Sequence, residues 1–386
     1  MAKEAKEEKE TSEGKGKREA REASREEILK RIIVLGNDLV KEIELEQNPH
    51  IDIPIRGSSN TFYDEKGKRI VLGDKIAKRA MFNVAHARKF MQTMLVASYV
   101  KKDLLENDLT ATLRDLYYAK KHTIGNTKED TIDEQKESDL AIVDLEVALD
   151  SFRERLHLRA EPKGRMAGDF VISDRVRDKI DIIDLSRMGS GGWAVPSIVE
   201  QIEFKDSGVE YVLVAEKNAI FDRLNEDGYW KKNKCLLMTT AGQAARGARR
   251  LLQRLSTELK LPVYCLTDAD PYGWYIYSTM KYGSMALAHE SERLGCPAMK
   301  FLGMSISDIE HYDLRAVTIK AKEVDIKRAE EIKEYDWFKA KEWQREINKF
   351  LEKKMKAEIQ ALSSKNLQYI SKTYLPEKIK NQDFLP

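Results

Sequence analysis

Apolar residues along the chain follow two different periods, and the change falls near residue 156. Before it, apolar positions recur at helical spacing, for example over 26–45 and 74–100, and only residues 51–72 alternate and turn like a small β-ribbon. After it, short continuous apolar runs of the buried-strand type, such as 211–215, alternate with helical segments. The pattern therefore predicts a multi-domain α/β protein whose second part contains a mainly parallel sheet.

The first part has the order of elements expected of a winged-helix domain: a ribbon, a helix, a turn and a second helix that presents polar residues. We expect Asp74 to cap the long helix, which runs to about Val100, and Thr112 to begin the second one. The predicted domains are a winged-helix domain over 26–155 and an α/β domain with a helical C-terminal elaboration over 156–386.

Composition narrows the class of protein without identifying a ligand. The 386 residues include 67 basic and 65 acidic ones, so bulk charge does not indicate nucleic-acid binding. Three scattered cysteines argue against a disulfide framework or a zinc site and favour a reducing compartment. The sequence contains neither a membrane-spanning segment nor a secretion signal, which predicts a cytoplasmic protein. Residues 1–25 are charged or small and are predicted to form a disordered extension.

The second predicted helix carries the first candidate chemistry. Thr112 and Asp115 are spaced as a capping box, which fixes where the helix begins. Arg114, Tyr118 and Lys121 follow at i, i+4 and i+7 on one face, so a phenol is predicted beside two cations. Such cations favour phenolate and bind phosphate, as a tyrosine that attacks a phosphodiester requires. An ordinary amphipathic helix fits this segment equally well, with its core face formed by Leu113, Leu116 and Tyr117.

Acidic residues end two of the predicted buried strands. Glu216 follows the apolar run 211–215, and Asp268 and Asp270 follow the run 262–266, just before a Pro/Gly turn. Because ligand sites of open parallel sheets lie at the carboxyl ends of strands, these three carboxylates are expected to meet there. Oxygen ligands alone suit Mg²⁺, which would relieve their repulsion. Alternatively each acid caps the following helix, but acids at two strand ends favour the metal.

Two further segments bear on the kind of ligand. A predicted helix over 241–259 carries arginines that either line a DNA channel or form a solvated face: Arg246, Arg249, Arg250 and Arg254. The Gly-rich run 188–192 lacks the Lys-Ser/Thr pair of a nucleotide P-loop, and no Walker A pattern occurs elsewhere in the sequence. We therefore expect that this chain does not hydrolyse ATP itself.

A strand-end Glu followed by a strand-end Asp-x-Asp is similar to the toprim signature of topoisomerases, bacterial primases and some nucleases. The order Arg-Asp-Leu-Tyr-Tyr (114–118), Glu216 and Asp-Ala-Asp-Pro-Tyr-Gly (268–273) closely resembles the family of archaeal DNA topoisomerase VI A subunits, which is related to the meiotic recombination transesterase. The resemblance runs from about Ile55 to the C-terminus. It also includes three shorter motifs, at 59–63, 164–169 and 192–197.

The resemblance implies roles for individual residues. Tyr118, the second residue of the Tyr-Tyr pair, matches the nucleophile that becomes joined to the 5′ end of a DNA strand, and Arg114 matches the family arginine four residues earlier. Glu216 and Asp268 match the family ligands of Mg²⁺, with Asp270 as a third. The second domain would then be a toprim domain.

The resemblance also implies partners and a reaction. A homodimer of A subunits cuts double-stranded DNA within an A2B2 heterotetramer, and a GHKL-type ATPase, the B subunit, uses ATP to drive strand passage and relaxation of supercoils. Such a protein would work in the cytoplasm with the nucleoid. Two other interpretations stay open: a toprim-type Mg²⁺-dependent DNA nuclease, and a non-catalytic winged-helix DNA-binding protein with a vestigial sheet. The intact acids argue against the last.

Overall fold

The computed structural model describes residues 24–176 and 179–386, so most of the predicted N-terminal extension lies outside the described residues. The chain divides into two compact units. The first contains residues up to 60 and residues 72–161, and the second contains 61–71 and 162–386. Residues 61–71, which the sequence placed in the winged-helix domain, thus belong with the second unit.

The elements of the chain up to residue 161 are α1 (Arg25–Glu44), β1 (His50–Pro54), β2 (Thr61–Asp64), β3 (Arg69–Leu72), β4 (Ile76–Ala80), α2 (Val84–Tyr99), β5 (Ala111–Thr112), α3 (Leu113–Lys120), α4 (Gln135–Ala148) and β6 (Leu158–Arg159). The strands that follow are β7 (Arg165–Ala167), β8 (Phe170–Val176), β9 (Lys179–Asp184), β10 (Trp193–Ala194), β11 (Glu203–Ser207), β12 (Tyr211–Ala215), β13 (Cys235–Thr239), β14 (Val263–Leu266), β15 (Lys300–Gly303), β16 (Ile319–Lys320) and β17 (Met355–Lys356). The helices among them are α5 (Asn218–Glu226), α6 (Tyr229–Lys232), α7 (Arg246–Glu258), α8 (Pro271–Tyr282), α9 (Ser291–Leu294), α10 (Ile306–His311), α11 (Glu323–Lys333), α12 (Lys341–Lys353) and α13 (Leu375–Lys380).

The long helix of the first unit begins later than predicted. Its N-cap is Asn83, whose side chain accepts a hydrogen bond from the Ala85 N–H, and not Asp74. Residues Ile76–Ala80 form β4 instead, which pairs antiparallel with β1. The apolar positions at helical spacing before residue 84 were misleading because pairing with a distant strand overrides a local period. The ribbon predicted over 51–72 is not a single unit. Strand β1 pairs with β4, and β2 pairs with β3 in a separate two-stranded sheet.

The core of the first unit is formed by its helices. Helices α2 and α4 pack against each other, and α3 packs on both. Leu116 of α3 is fully buried in this core. The fully buried residues around it come from helices and from the loops between them: Ile28, Val96, Val100, Leu105, Leu145 and Leu156.

The second unit is built on a six-stranded sheet of order β10-β7-β13-β12-β14-β15. Strand β12 runs parallel to both β13 and β14, and β14 runs parallel to β15, whereas β7 is antiparallel to β13. All residues of β13 are buried, as expected of a strand covered on both faces. The prediction of a multi-domain α/β fold with a mainly parallel sheet is confirmed.

A separate antiparallel sheet of order β11-β8-β9 precedes the parallel strands. The chain after α12 then returns to the six-stranded sheet. The Ala269 N–H, just beyond β14, donates to the Ala357 carbonyl at 2.9 Å. This contact brings a segment from the far end of the chain to the strand ends where the predicted acids lie. Among the described residues, no helix is both long and apolar enough to cross a membrane.

Candidate functional site

The tyrosine helix, α3, begins as predicted. The Thr112 hydroxyl accepts a hydrogen bond from the Asp115 N–H at 3.1 Å, and the Asp115 carboxylate accepts one from the Thr112 N–H at 2.8 Å. These bonds complete the capping box and hold the pKa of Asp115 below its usual value, the backbone bond from Thr112 being the larger cause. The start of the helix is therefore set by four consecutive residues of the chain.

Tyr118 is presented to solvent. The residue is 68% exposed, and Arg114 one turn earlier is exposed as well, while Leu116 between them is fully buried. The ring of Tyr118 lies against that of Tyr117, with 5.0 Å between ring centroids and 58° between planes. The helix thus directs the predicted nucleophile and the predicted arginine toward solvent and buries Leu116.

Lys121 does not lie where the helical spacing predicted. Its Nζ donates to the Tyr117 hydroxyl at 3.1 Å and to the Asp133 carbonyl at 3.2 Å, and the bond with Tyr117 is the main reason that its pKa is raised. The Tyr117 hydroxyl itself donates to the Asp133 carbonyl at 3.0 Å. The helix ends at Lys120 and Lys121 has an extended backbone, so the i+7 spacing no longer describes its direction. Tyr117 is correspondingly half-buried and hydrogen-bonded, not a plain core residue.

The strand-end acids meet as predicted. Glu216 directly follows β12 and Asp268 follows β14, and these two strands are adjacent and parallel. The Asp268 N–H donates to Glu216 Oε2 at 3.2 Å. Asp270, two residues on, completes what we call the acid cluster: Glu216, Asp268 and Asp270.

Two carboxylates of the acid cluster, those of Glu216 and Asp268, have raised pKa values, first because they are buried and second because the carboxylates repel one another. Burial, followed by the charge of Asp268, raises the pKa of Glu216 from 4.5 to about 7. Burial also raises the pKa of Asp268, and the charge of Asp270 adds to this, although Lys217 opposes both. Since buried carboxylates of this kind favour a proton or a cation, the cluster is suited to bind positive charge.

Asp270 fills the capping role that the sequence gave as one alternative, and it uses only one carboxylate oxygen to do so. Its Oδ1 accepts the Gly273 N–H at 2.8 Å, so it is the N-cap of α8, with Pro271 in the first turn. Its Oδ2 lies 3.7 Å from the Lys356 Nζ. One oxygen of Asp270 is therefore used by the helix and the other faces a cation.

The sequence did not predict the lysines that enter the acid cluster. Lys217 Nζ lies 2.7 Å from Asp268 Oδ2 and 3.1 Å from Glu358 Oε2. Lys217 could have been noticed as a cation directly after a strand-end acid. Glu358 carried no such signal, because it is brought in by the chain segment that pairs with Ala269.

The residues present fit Mg²⁺. The side chains of Glu216, Asp268 and Asp270 offer only oxygen atoms, which is the donor set that Mg²⁺ prefers. Lysine ammonium groups lie close to these oxygens. The acid cluster thus already contacts positive charge, and a divalent cation would supply more.

The arginines of α7 form neither a DNA channel nor a solvated face. Arg246 pairs with Glu290 at 2.6 Å, and Arg254 pairs with Glu258 at 2.7 Å. Arg249 is buried, which lowers its pKa to about 10. These side chains hold the second unit together, and the charge run in the sequence reflects internal ion pairs.

Comparison with known proteins tests the resemblance. Three family models match consecutive parts of the chain: type IIB DNA topoisomerase over residues 88–158, the all-β domain in the DNA topoisomerase VI alpha subunit over 161–208, and the toprim domain shared by the topoisomerase 6 A subunit and Spo11 over 211–379. The chain is 45% identical over 371 residues to the A subunit of type 2 DNA topoisomerase 6 from Pyrococcus abyssi, covering 94% of this chain and 96% of that protein. The chain belongs to the family of topoisomerase VI A subunits.

Other topoisomerase VI A subunits match over similar lengths. The protein from Sulfurisphaera tokodaii is 47% identical over 364 residues, covering 90% of this chain and 93% of the relative. The one from Methanocaldococcus jannaschii is 35% identical over 363 residues, covering 93% and 96%. At the level of the family, the predicted class of enzyme, a type II DNA topoisomerase and thus an isomerase, is confirmed.

The family models also divide the chain in a way that matches its sheets. Tyr118 lies within the type IIB topoisomerase match, and the acid cluster lies within the toprim match. The three-stranded sheet β11-β8-β9 falls within the all-β match, a segment that the sequence assigned to the toprim domain. The sequence of this segment lacks the helical segments that alternate with strands in the rest of the second part. That difference could have separated it from the toprim domain.

Proposed function

We propose that this chain is the DNA-cleaving subunit of a type IIB DNA topoisomerase and that Tyr118 is its nucleophile. The observation that carries the proposal is the exposure of Tyr118 and, one turn earlier, of Arg114 on a capped helix that buries Leu116. Apart from the contact of its ring with that of Tyr117, Tyr118 is exposed to solvent, so its hydroxyl is accessible to a DNA backbone.

In the proposed reaction, the Tyr118 oxygen attacks a backbone phosphorus. A Tyr O–P bond forms at the 5′ end and the P–O3′ bond breaks, while the phenol proton is lost and the 3′ oxygen gains one. Arg114, one turn away on the same face, stabilises the negative charge that builds on the phosphate oxygens. Because the new ester retains the energy of the broken bond, the 3′ hydroxyl can reverse the step and reseal the strand.

Glu216, Asp268 and Asp270 would hold Mg²⁺ for this reaction. When bound, the metal supplies positive charge for the phosphate and the 3′ oxygen. Glu216 must lose its proton to act as a ligand, which its pKa of about 7 permits near neutral pH. The Ile359 N–H keeps Asp268 oriented by donating to its Oδ1 at 2.9 Å.

The proposed assembly follows from the chemistry of one tyrosine per chain. One nucleophile cuts one strand, so a double-strand break requires a symmetric pair of chains. We propose a homodimer of this chain within an A2B2 heterotetramer, in which a GHKL-type ATPase, the B subunit, uses ATP to drive strand passage and relaxation of supercoils. Its site of action would be the nucleoid in the cytoplasm, where double-stranded DNA is available.

Covalent capture tests the proposed nucleophile. The full chain, mixed with its ATPase partner, plasmid DNA, Mg²⁺ and ATP, should yield DNA whose 5′ ends carry protein after denaturation. Tyr118→Phe should abolish these adducts without changing the melting temperature, because its side chain is exposed. Tyr117→Phe is the matched control: it keeps the ring beside Tyr118 and should still form adducts.

The same experiment distinguishes the alternative functions. DNA ends that carry no protein, produced equally by native protein and by Tyr118→Phe, would contradict the topoisomerase proposal and favour the toprim nuclease. Binding without cleavage under all conditions would favour the non-catalytic DNA-binding protein. Plasmid relaxation that proceeds without the B subunit or ATP would overturn the proposed dependence on a partner.

A further inference from the structure

Lys217 occupies a position inside the acid cluster that the proposed function leaves unexplained. We propose that Lys217 is a built-in counter-ion, which holds Asp268 in place before Mg²⁺ binds and competes with Mg²⁺ for Asp268 Oδ2. The inference rests on the proposed function, since it assumes that the acid cluster is the Mg²⁺ site. It makes Lys217 a positioning residue that sets metal affinity.

The two oxygens of Asp268 have different kinds of partner. Oδ1 accepts the backbone N–H of Ile359 at 2.9 Å, and Oδ2 lies 2.7 Å from the Lys217 ammonium. A backbone N–H in a packed segment cannot leave without moving the chain, whereas a lysine side chain can rotate. Oδ2 is therefore the oxygen that a metal can reach, and Lys217 is the group that a metal must displace.

The Lys217 ammonium has other hydrogen-bond partners when a metal displaces it from Asp268. Its ammonium also lies 3.1 Å from Glu358 Oε2 and donates to Gln360 Oε1 at 3.2 Å. An ammonium has three donors, so leaving Asp268 still allows two of the three contacts. The Lys217 side chain is 24% exposed, so water can replace the third. The exchange of lysine for metal at Asp268 thus leaves no buried charge unpaired.

Lys356 provides a natural control within the same site. It is exposed to a similar extent, at 20%, and its Nζ lies 3.7 Å from Asp270 Oδ2. Its closer partner is Asp325, at 3.0 Å. Lys356 therefore contributes positive charge at the acid cluster, but it lies farther from its proposed ligand oxygen, at 3.7 Å, than Lys217 does, at 2.7 Å. Comparing the two lysines separates direct competition for an oxygen from a general effect of charge.

The test is direct metal binding by the full chain, without DNA. After removal of divalent cations with EDTA, Mn²⁺ binding is measured by electron paramagnetic resonance and calorimetry. Asp268→Asn should lose binding, which tests the metal site itself. Lys217→Met should bind Mn²⁺ about tenfold more tightly than the native chain, because its competitor is gone. Lys356→Met should tighten binding by about threefold at most.

The outcomes separate the inference from the proposed function. If the native chain binds no Mn²⁺, or if Asp268→Asn binds it as well as the native chain does, the proposed metal site is wrong and the inference falls with it. If the native chain binds Mn²⁺ and Asp268→Asn does not, but Lys217→Met binds no more tightly, only the inference is wrong. A purely structural lysine would lower the melting temperature when removed and would not tighten metal binding.

A second variant keeps the inference testable should Lys217→Met fail to fold. Glu358 is 53% exposed, so Glu358→Gln should be tolerated. Losing this partner shifts Lys217 toward Asp268, and Mn²⁺ binding should weaken by about threefold. In the double variant with Lys217→Met the same substitution should have no further effect. Tighter or unchanged binding by Glu358→Gln alone would overturn the proposal.

Discussion

The tyrosine helix and the acid cluster differ in how completely each is supplied with partners. Tyr118 and Arg114 extend into solvent from a short helix whose start is fixed by a capping box. The oxygens of Asp268, by contrast, are both engaged, one by a backbone N–H and one by Lys217. The tyrosine helix leaves its proposed reactive groups exposed to solvent, and the acid cluster holds its carboxylates in place with other residues of the fold.

This difference shows what neutralises the charges of each region. The acid cluster contains repelling charges in a largely buried place, so the fold must neutralise them even when no metal is bound. The exposed face of the tyrosine helix is solvated and needs no such compensation. Substitutions at the acid cluster should therefore affect both chemistry and the pH dependence of stability, whereas substitutions of Tyr118 and Arg114 should affect chemistry alone.

The largest expected effect is on metal-dependent cleavage. Asp268→Ala should reduce covalent DNA adducts by about a thousandfold in Mg²⁺, as the loss of a metal ligand does. EDTA should have the same effect on the native chain. The melting temperature of Asp268→Ala should change little, because the relief of repulsion among the carboxylates offsets the loss of the contacts that Asp268 makes. Asp313→Ala, which removes an exposed acid, is the control, and full activity of Asp268→Ala would contradict the site.

A smaller effect is expected on the pH dependence of stability. The pKa of Glu216 is raised from 4.5 to about 7, mainly by burial, so the folded state binds this proton more tightly than the unfolded state does. The metal-free chain should thus lose stability as pH rises from about 4.5 to about 7, by on the order of 2 kcal/mol. Glu216→Gln should lack this loss. Urea unfolding of both proteins in EDTA, at pH 5 and pH 8, measures the difference.

Parallel pH profiles for the two proteins would show that Glu216 is not the group responsible. Added Mn²⁺ should restore the stability of the native chain at pH 8 but not affect Glu216→Gln, if the bound metal replaces the proton. The comparison of regions then predicts that substitution of Tyr118 or Arg114 leaves the pH dependence of stability unchanged.

The smallest expected effect concerns the capping box. Thr112→Ala removes the side-chain bond to the Asp115 N–H and should cost about 1 kcal/mol of unfolding free energy. Thr112→Ser keeps the hydroxyl and should behave as the native chain does. Covalent adducts should fall by no more than about twofold, because Leu116 still anchors the helix in the core. A loss of adducts as complete as that of Tyr118→Phe would show that the cap positions the nucleophile directly.

Features set by residues close in the sequence, or by a general rule of parallel sheets, could be predicted from the sequence. The capping box depends on two residues three positions apart, and the meeting of Glu216 with Asp268 depends only on adjacent parallel strands. The direction of Lys121 could not be predicted from helical spacing, because the helix ends one residue earlier. The same holds for Asp74, since the pairing of β1 with β4 converts the predicted first turns of that helix into a strand.

Contacts between distant parts of the chain that follow no rule of sheet geometry could not be predicted from local patterns. Glu358 and Ile359 reach Asp268 only because Ala357 pairs with Ala269. The ion pair of Arg246 in α7 likewise depends on Glu290, a residue outside that helix. A run of arginines has the same appearance in a sequence whether its partners are DNA phosphates or carboxylates of the same fold.

The contact between Ile359 and Asp268 joins residues 91 positions apart, and this has a consequence for the order in which the protein is made. Domains fold in general from the N-terminus during synthesis, so the helix with Tyr118 is complete long before residue 359 leaves the ribosome. Until then Asp268 lacks its backbone anchor, and Glu358 and Gln360, the other partners of Lys217, are not yet in place. A growing chain therefore contains the proposed nucleophile before its metal site is complete. We expect that incomplete polypeptides do not cut DNA for this reason.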